Sequence, residues 1–136
     1  MHQERQRPRV LIADDNPGVR TAVGRLLSPS CDVVAGAGDI GTLFDATMEL
    51  RPDVVLLDFS LPGTLNGLEA CRRLRRMAPD VKIVAFTAHD GEDIRRGAYE
   101  AACSGFVWKL QASTQLLSTI QAVIEGASRS PDADTA

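Results

Sequence analysis

Five short apolar runs punctuate the chain, at 9–13, 32–35, 54–57, 82–86 and 105–108. They are nearly continuous in Val, Ile, Leu and Phe instead of alternating with polar residues, which predicts parallel strands covered on both faces. Amphipathic stretches lie between them. Asn16-Pro17 predicts a helix N-cap with proline at the first helical position, followed by Val19, Val23, Leu26 and Leu27 at helical spacing. Asp39 is placed to cap a second helix carrying Leu43, Phe44, Thr47 and Leu50. A third is predicted over 67–78 with Leu68, Cys71, Leu74 and Met77 inward, stopped by Pro79. A fourth, over 90–102, is only weakly apolar, with Ile94, Ala98, Ala101 and Ala102. The fifth begins near Ser113, buries Leu116, Leu117, Ile120, Val123 and Ile124, and meets Gly126 at its end. Strict strand–helix alternation predicts an α/β sandwich with helices on both faces of a parallel sheet. The tails, 1–8 and 127–136, are polar and predicted to be disordered, leaving one domain over 9–126.

Composition narrows the class. Hydrophobic residues make up 44% and charged residues 24%, as in ordinary globular domains, and the net charge of −3 gives no bulk field favouring nucleic acid. No apolar run approaches the ~20 residues needed to span a bilayer, and the polar start lacks a signal core. Cys31, Cys71 and Cys103 are odd in number and form no C-x-x-C pair, which predicts small buried side chains in a reducing compartment, with no zinc site or disulfide framework.

In an open α/β sheet, function gathers beyond the carboxyl ends of the strands. Asp14-Asp15 follow the first run, Asp58 the third and Lys109 the fifth, while Thr87 ends the fourth. Three carboxylates, a hydroxyl and an ammonium are therefore expected along one edge. Singly, each has an ordinary role: a helix N-cap pair, a strand end, a solvated charge. On four strand ends together they predict a site. Two carboxylates ~6 Å apart at an effective dielectric of ~20 repel by roughly 3 kcal/mol, and a hard dication such as Mg2+ relieves that repulsion. Asp15 and Asp58 suit direct ligation, with Asp14 acting mainly through water. A carboxylate is also a competent nucleophile toward phosphorus. Asp58 fits that role because the buried run before it fixes its position, with Lys109 and Thr87 placed to hold phosphoryl oxygens.

Asp14-Asp15 in V-L-I-A-D-D, Asp58 in V-V-L-L-D-F-S-L-P, Thr87 in V-A-F-T-A and Lys109 in G-F-V-W-K, in this order and at this spacing, resemble the receiver domains of two-component response regulators. The resemblance covers 9–126. It implies a flavodoxin-like, doubly wound five-stranded parallel sheet of order 2-1-3-4-5. It also implies a cytoplasmic phosphoacceptor switch, phosphorylated on Asp58 by a sensor histidine kinase or phosphotransfer protein with Mg2+, and catalysing only its own phosphorylation and dephosphorylation. The metal would be held by Asp14, Asp15, Asp58 and the backbone carbonyl of Ser60. Thr87, Ala88, Lys109 and Phe106 would be the phosphate-binding and switch positions. The altered face would be helix four, strand five and helix five, acting on a downstream protein or an output domain, with a phosphorylation-dependent homodimer a further expectation. The chain departs from the family at a loop after Pro62 that is one residue longer, at Leu110 where proline is common, at Phe106, which lacks a hydroxyl, and at Ala102 where glycine is common. Only ten residues follow Gly126, so the reading is either a single-domain regulator or an excerpt of a longer protein.

Two rival classes have sequence support. Gly36-Ala37-Gly38-Asp39-Ile40-Gly41 contains G-x-G-x-x-G after a strand, the dinucleotide fingerprint, but on the second strand and not the first. An aspartyl-phosphate hydrolase would need an acid two residues after its nucleophile, where Ser60 stands. The run Arg72-Arg73-Leu74-Arg75-Arg76 reads as the wet face of helix three in preference to a nucleic-acid patch. His89 reads as a solvated loop residue near the site mouth, and Trp108 as rim packing or a partner anchor.

Overall fold

The computed structural model describes residues 7–89, 91–101 and 103–126. Strands β1 (Arg9–Ala13), β2 (Asp32–Ala37), β3 (Val54–Leu57), β4 (Lys82–Thr87) and β5 (Gly105–Trp108) alternate with helices α1 (Pro17–Leu27), α2 (Ile40–Leu50), α3 (Gly67–Met77), α4 (Glu92–Glu100) and α5 (Ala112–Ile124). All strands are parallel, in the order β2-β1-β3-β4-β5. Each of the five apolar runs becomes a strand.

Period-two alternation splits β1, β3, β4 and β5 between two cores. Leu11, Ala13, Val55, Leu57, Ile83 and Ala85 pack with Ile40 and Leu43 of α2, Ala70, Cys71 and Leu74 of α3, and Ala98 of α4. Val10, Ile12, Val54, Leu56, Val84, Phe86 and Val107 pack with Val23 and Leu27 of α1 and with Leu116, Ile120 and Val123 of α5. Because both faces are covered, every position of β3 is buried, which is why its sequence shows no alternation.

The helix starts follow local chemistry. Asn16 accepts from the backbone of Gly18 and Val19, Asp39 accepts from Thr42, and Asn66 forms a reciprocal capping box with Glu69. Several boundaries differ from expectation. β2 runs on to Ala37 because Gly36 and Ala37 pair through their backbones with Ile12 and Ala13. β4 likewise includes Thr87. A 3-10 turn, Lys109–Gln111, precedes α5, and no cis peptide occurs among the described residues. The expected ends of α4, Asp90 and Ala102, lie outside the described residues, as do 1–6 and 127–136. Arg7 and Pro8, expected in a disordered tail, are tied down. The Arg7 guanidinium donates to Asp32 and to the Ser28 and Cys31 carbonyls, and the Pro8 carbonyl accepts from Asp32.

The loop between β3 and α3 is pinned to the start of α2. Leu61 is buried, and Ile40 N–H donates to the Pro62 carbonyl at 2.9 Å. Gly63 has φ +154, and a Cβ there would lie 2.5 Å from the Ile40 Cβ. Strain and overlap add, so Gly63→Ala is expected to destabilise the fold by about 2–4 kcal/mol. Urea unfolding checks this, and a loss below about 1 kcal/mol would show that the loop lifts off Ile40 freely.

Candidate functional site

The sheet carries its hydrogen bonding one residue beyond the strands. Asp14 N–H donates to the Ala37 carbonyl at 2.9 Å and Asp58 N–H to the Ala13 carbonyl at 3.0 Å. Both carboxylates therefore leave the sheet from fixed backbone at its centre. Asp14 is 1%, Asp58 2% and Thr87 2% exposed, while Asp15 beside them is exposed. One carboxylate oxygen each from Asp14, Asp15 and Asp58 lies within 4.8 Å of the others, the single such acidic group found among the described residues.

The surrounding donors are disposed around these anions. Lys109, set at the end of β5 by the 3-10 turn, places its Nζ 2.5 Å from Asp14 Oδ2 and 3.2 Å from Asp58 Oδ2. The ammonium also stands 5.4 Å from the Phe86 ring centroid. Asp14 Oδ1 accepts from Asn16 N–H at 2.9 Å. Asp58 Oδ1 accepts from the N–H of Ser60 at 3.0 Å and from its hydroxyl at 2.9 Å. Thr87 Oγ1 accepts from His89 N–H at 3.2 Å, and the Ala88 carbonyl accepts from Trp108 Nε1 at 3.0 Å. His89 is exposed. Phe106 is half-buried, with the Arg95 guanidinium 5.2 Å from its centroid.

Electrostatics ties the cluster together. Burial works against the Lys109 charge, but hydrogen bonds to Asp14 and Asp58 and the nearness of both negative charges outweigh it and raise its pKa above the ordinary 10.5. A cation held more tightly in the folded state stabilises fully below 10.5, and that stability is lost as pH rises through the higher folded value. Urea midpoints are thus expected to fall at strongly alkaline pH in the wild type and less so in Lys109→Met. Parallel profiles for the two proteins would contradict this coupling.

The structure brings Asp14, Asp15, Asp58 and Lys109 together, with Ser60 against them; Thr87, Ala88 and Phe106 lie along the adjoining ends of β4 and β5. Sequence reasoning named Ser60 only for its backbone carbonyl and missed two contributors, Asn16 and Arg20. Ser60 reaches Asp58 through its side chain and N–H, and Asn16 serves Asp14 through its backbone as well as capping α1. Arg20, one turn into α1, donates from Nη1 to the Asp14 carbonyl at 2.7 Å. Its side chain lies across Gly36 and Gly38, where added Cβ atoms would stand 2.9 Å from Cδ and 3.3 Å from Nη1. The glycine pair of the apparent dinucleotide fingerprint, at the end of the edge strand β2, is thus the bed of an arginine, which removes that reading. The only sign of this in the sequence was an arginine one helical turn after the Asn16 cap.

Arg72, Arg73 and Arg76 are exposed on α3 and, with Leu65 and Glu69, line a shallow open groove. Arg75 instead folds back to the Pro79 and Val81 carbonyls. Among the described residues no helix is long and apolar enough to cross a membrane.

Comparison with known proteins agrees with this geometry. The family description "Response regulator receiver domain" matches residues 10–121. Response regulator GacA of Pseudomonas viridiflava is 36% identical over 120 residues, covering 87% of this chain and 56% of that protein. The chain therefore spans a little over half the length of that relative. A two-component response regulator of the LuxR family from Aurantimonas superposes with a TM-score of 0.85 at 35% identity, covering 96% of this chain and 94% of that one. The isolated receiver domain of RcsB from Salmonella enterica, solved with the phosphomimetic BeF3-, gives 0.85 at 25% identity over 93% of this chain and 95% of that one. With its sheet order, its acidic edge and these matches in agreement, the chain belongs to the response regulator receiver domains of two-component systems.

Proposed function

We propose that Asp58 is the phosphoacceptor of a signalling switch, charged by a sensor histidine kinase or phosphotransfer protein with Mg2+ bound beside it. The observation that carries this reading is the buried Asp58 carboxylate, which has two further carboxylates within 4.8 Å and the Lys109 ammonium at 3.2 Å. The donor set is all hard oxygen, which fits Mg2+. Asp14, Asp15, Asp58 and the Ser60 backbone carbonyl would hold it. When bound, the ion would neutralise charge on the oxygens of the transferring group.

The chain's own residues account for the remainder. Asp58 attacks phosphorus as the P–N bond of a phosphohistidine breaks, giving an acyl phosphate. Lys109 compensates the added negative charge, and Thr87 with the Ala88 backbone holds phosphoryl oxygens. Thr87 moving toward the phosphate would draw on the His89 contact, and half-buried Phe106 would turn inward behind it, leaving its place under Arg95. The face made by α4, β5 and α5 changes as a result, which suits control of a downstream protein or output domain and a phosphorylation-dependent homodimer. Chemistry is limited to the domain's own phosphorylation and dephosphorylation, and the cytoplasm is its place of action.

Incubation with acetyl phosphate and Mg2+, followed by intact mass and borohydride trapping, tests this. One phosphoryl adduct on Asp58, absent when the metal is chelated, is expected. An adduct elsewhere, or none, would overturn the reading.

A further inference from the structure

Two of the three cysteines, read from sequence as isolated apolar side chains, meet in the core. Cys71 on α3 and Cys103 just before β5 are 32 positions apart, yet their sulfurs are separated by 3.0 Å. Cys71 Sγ also stands 3.1 Å from the Ala101 carbonyl, where α4 ends. With the Cys71 thiol donating to that carbonyl, the Cys103 thiol is left to donate to Cys71 Sγ, so the two sulfurs face one another directly. All three thiols are free, and Cys31 lies in the opposite core.

We propose that Cys71 and Cys103 form a site of reversible oxidation at which a peroxide converts the two thiols into one intramolecular disulfide. Closing the present gap needs a shift of about 1 Å to reach bonding distance. The two sulfurs are not equivalent. The hydrogen bond from Cys103 lowers the Cys71 pKa, burial opposes this, and Arg75 and Arg72 add to the lowering. The same hydrogen bond, with burial, pushes Cys103 well up. Cys71 is therefore the attacking sulfur. Its thiolate attacks one peroxide oxygen, the O–O bond breaks, and the leaving hydroxide takes up a proton to become water. The sulfenic acid left on Cys71 is then attacked by the Cys103 sulfur. The S–O bond breaks, and the departing hydroxide leaves with the Cys103 proton as a second water. Two electrons pass from the thiol pair to the peroxide.

Access runs through α4. Cys71 is 0% and Cys103 4% exposed, but α4, whose end covers Cys71, buries only Ala98 along its length. Peroxide would reach the pair when this helix opens locally.

The test is a hydrogen peroxide titration of the folded full chain, read by intact mass and by peptide mapping without reductant. The expected product has lost two hydrogens, links Cys71 to Cys103, leaves Cys31 unlinked and reverts with dithiothreitol. Cys71→Ser and Cys103→Ser should each stop that loss, with Cys71→Ala and Cys103→Ala as replacements if a serine proves incompatible with the core. Asp58→Asn keeps both sulfurs and should oxidise as the wild type does, whatever the fate of the phosphoacceptor reading. Oxygen addition at one cysteine without a cross-link would overturn the proposal. So would a link through Cys31, a covalent dimer, or no change at peroxide levels that oxidise the urea-unfolded chain.

Discussion

Asp58→Asn is expected to abolish the phosphoryl adduct entirely while leaving the protein at least as stable as the wild type. The amide oxygen keeps the hydrogen-bonding capacity that Asp58 Oδ1 uses toward the Ser60 N–H and hydroxyl, so the loop after β3 retains its anchor. Lys109 keeps Asp14, its nearer partner. What disappears is a carboxylate with an oxygen within 4.8 Å of an oxygen of each of two others, a separation at which unit charges repel by roughly 3.5 kcal/mol at an effective dielectric of ~20. Relief of that repulsion offsets the lost ion pair with Lys109. A neutral amide is too weak a nucleophile to form an acyl phosphate, so labelling falls to background. Intact mass after acetyl phosphate treatment reads the first effect, and urea unfolding in the presence of a chelator reads the second. An adduct of wild-type size on the variant would remove Asp58 from its role. Marked destabilisation would show that its contacts matter more than its charge.

Lys109→Met is expected to destabilise the metal-free fold by about 3 kcal/mol, the low end for breaking a buried ion pair, because the lysine side chain remains 20% exposed. Methionine keeps much of the aliphatic stem beside Phe86 but leaves Asp14 and Asp58 without their cation. Saturating Mg2+ should narrow the gap to the wild type, since a bound dication supplies the missing positive charge and binding to the folded state alone adds stability. Urea midpoints measured with Mg2+ and with chelator decide the matter. An identical deficit under both conditions would mean that the lysine acts through packing, not charge.

The parts of this molecule legible in the sequence were those that backbone periodicity decides. Val54–Leu57 reads as a central strand because burial on both faces demands an unbroken apolar run, and the residue following a strand falls at the sheet edge whatever its side chain does. Asp14, Asp58 and Lys109, each directly after a strand, and Thr87, the last residue of β4, were therefore located by counting along the strands. What stayed hidden depends on lateral packing and side-chain torsions. Lys109 bridges two carboxylates, one of them 95 positions away. Ser60 bends its hydroxyl onto Asp58. Gly36 and Gly38 carry a nucleotide-like spacing whose purpose is to make room for Arg20. Cys71 and Cys103 meet only because α3 and the approach to β5 are neighbours across the same core. None of these pairings leaves a periodic trace, since each joins segments that share no repeat.

The hydrogen bonds that run past the ends of β1 and β3 into Asp14 and Asp58 make the acidic edge a socket and not a pair of loose arms. A cation arriving there has little backbone to set in order, so its attachment forfeits little conformational entropy. On the reading proposed for this edge, that prearranged backbone would favour the affinity of a bound dication without the sheet loosening.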